Sequence, residues 1–394
     1  MLQKGDFAAA TSTFDDTMVG ALPAEELRQT WNAIESQLGK LTGWRIVERS
    51  SEKGLLVRVG RMTFEKGELI GQVVVNVDKG KVSGLFFRPA PSPSAPPAAS
   101  DDRFRSEEMQ FGTAPWTIRG TLLLPRGAGP WPAVVLVAGS GPQDRDESVG
   151  ANKPFRDLAE GLAARNIAVL RYDKRTFLHG GRMPLSTITV EEEVIADAAA
   201  AIDILRTRPE IASARIAVVG HSLGAFLAPE IAQRAAPTAV LVLLAVPGRP
   251  LPMILVDQLR FVGAPPAEID KIERQAKLLL TGKLKPEETF VSVPVSYWTD
   301  LLKRNAIAVA KTLRCPILIL RGGRDYQVTA VDQQIWSKAF EGVATVTIET
   351  LPDLNHIFIA GAGPSGPAEY ERPGRVDDRA VERIARFILA ERSR

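Results

Sequence analysis

The sequence predicts an α/β protein, a mainly parallel, doubly wound sheet with a helical insertion, preceded by a small α+β N-terminal domain. Three observations predict it. Six short apolar strand candidates (133–137, 167–170, 216–219, 239–244, 317–320 and 345–348), most of them continuously apolar, alternate with helical patterns; continuous apolar runs mark strands buried on both faces of a parallel sheet. A Pro-, Ala- and Ser-rich tract over 88–100 separates them from a region of different periodicity. The length, 394 residues, exceeds what one hydrophobic core usually fills.

The N-terminal region shows helical spacing over 6–22 and 24–38, with Leu27, Trp31, Ile34 and Leu38 on one face. The pattern then changes to period two. Segments 45–48, 54–64, 68–77 and 81–87 alternate or are rich in Val and Ile, and Gly-containing turns such as Lys79-Gly80 divide them. Helices followed by a curved antiparallel sheet make residues 1–88 the α+β domain. Residues 89–103 form an extended linker, because proline lacks the N–H that a hydrogen-bonded ladder needs.

Beyond the linker, 109–124 reads as a strand pair, with the alternation of Trp116-Thr117-Ile118-Arg119-Gly120-Thr121-Leu122. The apolar strand runs follow. One crossover helix opens with Thr189-Val190-Glu191-Glu192, the spacing of a capping box, and carries Val194, Ile195, Ala198, Ile202 and Leu205 as its apolar stripe. Between 251 and 314 the strand signal vanishes. Helical stretches containing Ile254, Leu259, Ile269, Leu278, Leu279, Leu301 and Leu302 replace it, which reads as an inserted helical lid.

Composition narrows the function classes. Hydrophobic residues make up 45% and charged residues 24%, values of a globular chain and not of a disordered or collagen-like one. The 49 basic and 46 acidic residues leave a formal net charge of +3 without a long run of either sign, so nucleic acid is not an expected partner. No run approaches the ~18 apolar residues of a membrane span. The N-terminus, Met1-Leu2-Gln3-Lys4-Gly5-Asp6-Phe7, lacks the apolar core of a secretory signal. The chain reads as soluble, either cytoplasmic or exported after loss of a leader. Cys315 is the single cysteine, which excludes an internal disulfide and a Cys-based metal cluster. Opening the apolar run Cys315-Pro316-Ile317-Leu318, it is expected to be a buried, inert thiol.

The chemistry concentrates at Ile216-Ala217-Val218-Val219-Gly220-His221-Ser222-Leu223-Gly224, an apolar strand running into Gly-x-Ser-x-Gly and then a helical pattern. A serine projected from so sharp a strand-to-helix turn sits in a strained backbone. Side chains at Gly220 and Gly224 would collide with neighbouring backbone there. In this context the chain resembles the α/β-hydrolase superfamily from about residue 104 to its end, and within it the bacterial serine esterases. The resemblance implies the α/β-hydrolase fold and makes Ser222 the nucleophile of a Ser-His-Asp triad.

A serine hydroxyl needs a base to take its proton and a carboxylate to hold that base. Of three histidines, His221 lies beside Ser222 and is expected to have a local packing or polar-edge role. His179, in a different loop, is expected near the pocket mouth. His356, after the last strand and before the C-terminal helix, stands where the resemblance places the base. Asp325 follows the strand 317–320 and a Gly turn, which gives the order Ser, Asp, His of that fold. Asp353, close to His356 in sequence, is the rival acid.

For the oxyanion hole the resemblance implies the amide of Leu223 and one from Ala138-Gly139-Ser140-Gly141-Pro142-Gln143-Asp144-Arg145-Asp146. That loop resembles the His-Gly-Ser-Gly-Pro-x-Asp-Arg-Asp loop of these esterases, with Ala138 in place of the usual histidine. The second amide is assigned to Ser140, with Gly141 as the alternative. The glycines lack the Lys-Ser or Lys-Thr ending of a phosphate loop and the spacing of a dinucleotide fingerprint. Asp144, Arg145 and Asp146 are expected to pair with one another, with a substrate contact from Arg145 as the alternative. After Val169-Leu170-Arg171-Tyr172-Asp173-Lys174-Arg175, this sequence continues Thr176-Phe177-Leu178-His179 where a Gly-rich turn is usual. Tyr297 and Trp298 are candidate pocket residues, with a core role as the alternative.

The N-terminal region resembles in layout the small nuclear-transport-factor-like domain that precedes such hydrolase domains in a group of bacterial esterases. Since residues 1–88 contain neither His nor Cys, its implied role is structural, shielding or partner-binding. The expected function is a carboxylic ester hydrolase acting on a small-molecule ester, with neither cofactor nor metal. A thioesterase, an acyltransferase, a peptidase or a non-catalytic binding protein are the alternatives, and the number of subunits is not set by the sequence.

Overall fold

The computed structural model describes residues 1–52, 54–89, 102–180, 183, 187–286 and 288–390; most of the expected linker, 90–101, lies outside them. The chain divides into two units, Met1–Ala98 and Ala99–Arg394.

In the first unit, helix Ala24–Leu38 buries Leu27 and Trp31, and the Trp31 ring packs 5.9 Å from those of Phe64 and Phe87. Strands β1 (Leu41–Glu52), β2 (Leu55–Phe64), β3 (Gly67–Asn76) and β4 (Lys81–Pro89) form an antiparallel meander in that order. The helical spacing over 6–22 does not yield one helix. It is split into Phe7–Thr11 and Asp16–Ala21. Between them Asp15 N donates to Val82 O (2.9 Å) and Val82 N to Thr13 O (2.8 Å), so the chain pairs briefly with β4. Burial of Phe14 and the caps supplied by Asp6 and Asp15 override the periodicity.

The second unit contains β5 (Phe104–Phe111), β6 (Ile118–Pro125), β7 (Trp131–Val137), β8 (Ala168–Tyr172), β9 (Ile211–His221), β10 (Val240–Leu244), β11 (Thr289–Phe290), β12 (Val293–Pro294), β13 (Ile317–Gly322) and β14 (Val346–Leu351). Eight of them form one sheet in the order β14-β13-β10-β9-β7-β8-β6-β5. Strands β7 to β10, β13 and β14 are parallel, and the hairpin β5-β6 joins antiparallel at the β8 edge. The six apolar runs of the sequence all lie in the parallel part.

Five of these runs are apolar throughout because both faces are covered; the sixth, in the edge strand β14, alternates with threonine and is only partly buried. Val135, Val218, Leu243 and Ile319 point into one core with helices Ala196–Arg206 and Leu223–Arg234. Val134, Val219, Val242 and Leu318 point into the other with helices Pro154–Ala163 and Asp378–Ala390. Burying each such side chain is worth about 1.5–3 kcal/mol. Thr189 and Glu192 exchange capping bonds of 3.4 and 3.2 Å. The first turn after them, Glu191–Ile195, is π-helical and buries Glu193, a distortion common beside functional sites.

The segment expected to be wholly helical contains helices Leu251–Phe261, Pro266–Leu280, Val295–Leu302 and Ala306–Ala310, but also the two-stranded ribbon β11-β12. Trp298 Nε1 donates to Phe290 O (3.0 Å) and ties the ribbon down, a contact that helical periodicity cannot show. Cys315, just before β13, is half-buried and not fully buried as expected. Burial still pushes its thiol up to about 11, so the reactive thiolate is scarce near neutrality. Among the described residues no helix is long and apolar enough to cross a membrane.

Candidate active site

Strand β9 lies in the middle of the sheet, and its chain turns at Ser222 into helix Leu223–Arg234. Ser222 adopts φ 52, ψ −117, a region that non-glycine residues enter only under strain. Its amide is anchored to Leu244 O of β10 at 2.9 Å. A Cβ on Gly220 would lie 2.7 Å from Ala225 Cα, and one on Gly224 would lie 2.6 Å from Ala138 O and overlap Val137 O. Backbone cannot yield as a side chain does, so both glycines are sterically required.

His356 lies in the loop after β14, where Asn355 Oδ1 accepts from the amides of Ile357 (3.1 Å) and Ile359 (3.0 Å) and shapes the turn. His356 Nδ1 donates to Asp325 Oδ2 at 2.8 Å. Asp325, just after β13, accepts with Oδ1 from the amides of Gln327 (2.8 Å) and Val328 (2.9 Å). The carboxylate is therefore fixed by backbone and the imidazole by the carboxylate. Asp353, the rival acid, turns away to Arg379 (2.6 Å).

Ser222 and His356 are both in the wall of one cavity of about 530 Å³. Gly139, Ser140, Gly141 and Leu223 form another part of that wall. Leu251, Ile254, Val293, Tyr297, Trp298 and Leu301 supply its apolar side, and these come from the segment between β10 and β13. Of the residues expected in the triad, His356 and Asp325 are joined by a hydrogen bond, and Ser222 and His356 share the wall of the cavity.

Arg145 corrects an expectation, since it is not among the residues lining the cavity. Its guanidinium is held by Asp173 (2.8 Å), Glu108 (2.7 Å) and Thr121 Oγ1 (2.6 Å). Nor do Asp144, Arg145 and Asp146 pair with one another through their side chains. Asp144 caps its own turn through the amides of Asp146 (3.1 Å) and Ser148 (3.0 Å), while Asp146 pairs with Arg171 and Lys153. Arg145 and Asp146 find partners distant in sequence on or beside β5, β6 and β8, and Asp144 is taken up by its own turn. His179 bonds Thr117 O (2.8 Å) beside Trp116, outside the lining.

Three buried charged residues that sequence reasoning missed brace the glycine loop. Glu147 Oε1 accepts from Gly139 N (2.6 Å) and lies 3.0 Å from His221 Nδ1. Lys174 Nζ donates to Gly139 O and Gly141 O, both at 3.0 Å, and stands 3.5 Å from Glu193 Oε2. Glu193 also accepts from Thr176 Oγ1 and Tyr297 Oη, both at 2.7 Å. Burial together with the neighbouring Glu193 pushes the Tyr297 phenol well above its ordinary value, so it remains a donor. The loop that carries Ala138 thus has ionic support. The one sequence signal of it was a lysine at the end of an apolar strand.

Residues 134–372 match the alpha/beta hydrolase family. Esterase EstD of Thermotoga maritima is 37% identical over 392 residues, 98% of this chain and 93% of that protein. Among solved structures, the Pyrococcus furiosus esterase Pf2001 covers 76% of this chain and 96% of its own, with 15% identity and a TM-score of 0.49. Est1E from Butyrivibrio proteoclasticus covers 72% and 98%, with 15% identity and the same TM-score of 0.49. The matched length, the identity to EstD and a strained elbow at the end of a central parallel strand lead to one assignment: this chain belongs to the alpha/beta hydrolase family.

Proposed function

We propose that the chain is a serine carboxylesterase that hydrolyses small-molecule esters through Ser222, His356 and Asp325. The observation that carries this reading is the 2.8 Å bond between Asp325 and a His356 that shares a cavity wall with the elbow serine. With Nδ1 committed to Asp325, only Nε2 of His356 is left to take the Ser222 proton. That hydrogen bond is one that tightens as substrate binds.

Ser222 Oγ attacks the ester carbonyl, His356 passes the proton to the leaving alcohol, and water, deprotonated by the same histidine, releases the acid from the acyl-enzyme. The negative oxygen of each tetrahedral intermediate is met by the amides of Leu223 and Ser140, each worth about 3 kcal/mol of barrier. Gly139 N is engaged by Glu147, which supports Ser140 as the second donor. Every bond made or broken uses groups of the chain and water, so the scheme needs no cofactor.

The apolar wall given by Leu251, Ile254 and Trp298 supports an uncharged ester with an apolar acyl part and a lid role for the insertion over 251–314. The hydrolase domain spans 104–394. The N-terminal region, 1–88, is a separate nuclear-transport-factor-like domain with a shielding or partner-binding role, supported by its helices-then-meander order and joined through the linker 89–103. The name of the relative EstD favours an ester over a thioester or peptide.

Ser222→Ala should abolish turnover of a short p-nitrophenyl ester and prevent labelling by a fluorophosphonate while the protein stays folded. Turnover by that variant would overthrow the triad, and failure of well-folded wild type to label would favour a non-catalytic binding protein.

A further inference from the structure

His221, expected from its sequence context to have a local packing or polar-edge role, is buried between two acceptors. Its Nε2 lies 3.0 Å from the carbonyl oxygen of His356, and its Nδ1 3.0 Å from Glu147 Oε1. A carbonyl oxygen only accepts, so Nε2 carries a proton. Glu147 Oε1 already accepts from Gly139 N at 2.6 Å. A neutral ring protonated on Nε2 would set the bare lone pair of Nδ1 against a carboxylate oxygen.

Glu147 is 2% exposed and its Oε2 has no hydrogen-bond partner. A carboxylate so placed needs a positive neighbour. We infer that His221 is a positioning residue held as an imidazolium, whose two N–H groups tie the His356 loop to Glu147 and, through Glu147, to the glycine loop at Gly139. This inference rests on the reading of His356 as the base and of that loop as the oxyanion hole.

Three parts of the site arrive on three separate connections, after β7, after β9 and after β14. His221 precedes the nucleophile in the chain, bonds the backbone of the base, and reaches the glycine loop through one carboxylate. One ring therefore links all three. The titratable groups acting on it are Glu147, His356 and, through its charge, Asp325; Phe155 and Phe358 present ring edges to it. Burial opposes the charge on His221, but the charge and hydrogen bond of Glu147 and the bond to His356 O outweigh it and raise its pKa.

The test is the side-chain nitrogen NMR spectrum of the full chain, which has three histidines and can be assigned with His179→Gln and His221→Gln. From about pH 6 to about pH 8, both His221 nitrogens should show the protonated type, where an ordinary histidine loses its charge. One protonated and one bare nitrogen at neutral pH would overturn the inference. Glu147→Gln should convert His221 to the neutral form and lower kcat about 10–100-fold, the scale of a misplacement near 1 Å, with KM little changed. Wild-type kcat in that variant would also overturn the inference; if it does not fold, the wild-type spectrum decides alone. Turnover by Ser222→Ala would remove the triad reading and leave the His221 spectrum unaffected, so the two failures are distinguishable.

Discussion

Lys174 and Glu193 give a measurable account of what holds the glycine loop. Their charged atoms stand 3.5 Å apart, with side chains 3% and 6% exposed, so their attraction is about 5 kcal/mol at an effective dielectric constant of about 20. Lys174→Met leaves Glu193 buried without its counter-charge, and Gly139 O and Gly141 O without their donor. The expected cost is about 3–5 kcal/mol, that of truncating a buried pair. At about 2–4 °C of melting temperature per kcal/mol, the hydrolase unit should melt on the order of 10 °C lower. Glu193→Gln should cost a similar amount, because it strands the ammonium. The double variant, with no buried charge left over, should be more stable than the sum of the single losses predicts by about 2 kcal/mol. Activity should not follow stability, since neither substitution restores a donor to the loop carbonyls; kcat of the double variant should stay as low as that of Lys174→Met. Urea unfolding followed by tryptophan fluorescence, together with ester turnover, measures both. Additivity within about 0.5 kcal/mol, or recovery of kcat in the double variant, would refute the reasoning.

Asp325→Asn should keep the fold, because Oδ1 can still accept from Gln327 and Val328, yet reduce kcat by about 10⁴ as the imidazole loses its orienting charge; a loss below tenfold, measured on the same ester, would contradict the triad. Glu369 yields a prediction in acid. Burial pushes its carboxyl up, but hydrogen bonds from Ser365, Arg324 and Asn355 outweigh this and hold it below its ordinary value of 4.5. A depressed carboxyl stabilises the fold above the unfolded value, and that stabilisation is lost as pH falls through the lower folded value. The melting temperature of wild type should therefore exceed that of Glu369→Gln near pH 6 and converge toward it below the carboxylate range; a gap independent of pH would count against this.

The sheet and the elbow were legible in the sequence because their causes are local. Five strands buried on both faces leave five apolar runs, the half-exposed edge strand β14 leaves an alternating one, and the turn at Ser222 demands glycines on either side of it. The Asp325 contact with His356 was legible only through the order of the motif on a known fold, since 31 residues separate the partners. The bracing network left no comparable trace. His221 and Glu147 lie 74 residues apart, and Tyr297 and Glu193 104, so nothing in the pattern around either member announces the other. Arg145 was misplaced for the same reason, since its partners Glu108, on β5, and Asp173, just after β8, are distant in sequence. The break at Phe14 was hidden too, because a periodic stripe shows which face is apolar and not that a neighbouring strand competes for the backbone.

The cavity wall has a consequence for what leaves the site. Among the described residues that line it there is no lysine or arginine, and the nearby ammonium of Lys174 is spent on loop carbonyls and Glu193. Hydrolysis of the proposed uncharged ester yields an anion, for which this wall offers the amides of Ser140 and Leu223 and the His356 ring among hydrocarbon and the carboxylates of Glu147 and Glu193. With no full positive charge from a lysine or arginine to replace its lost hydration, the acid should bind more weakly than the ester and be a poor inhibitor of the next turnover.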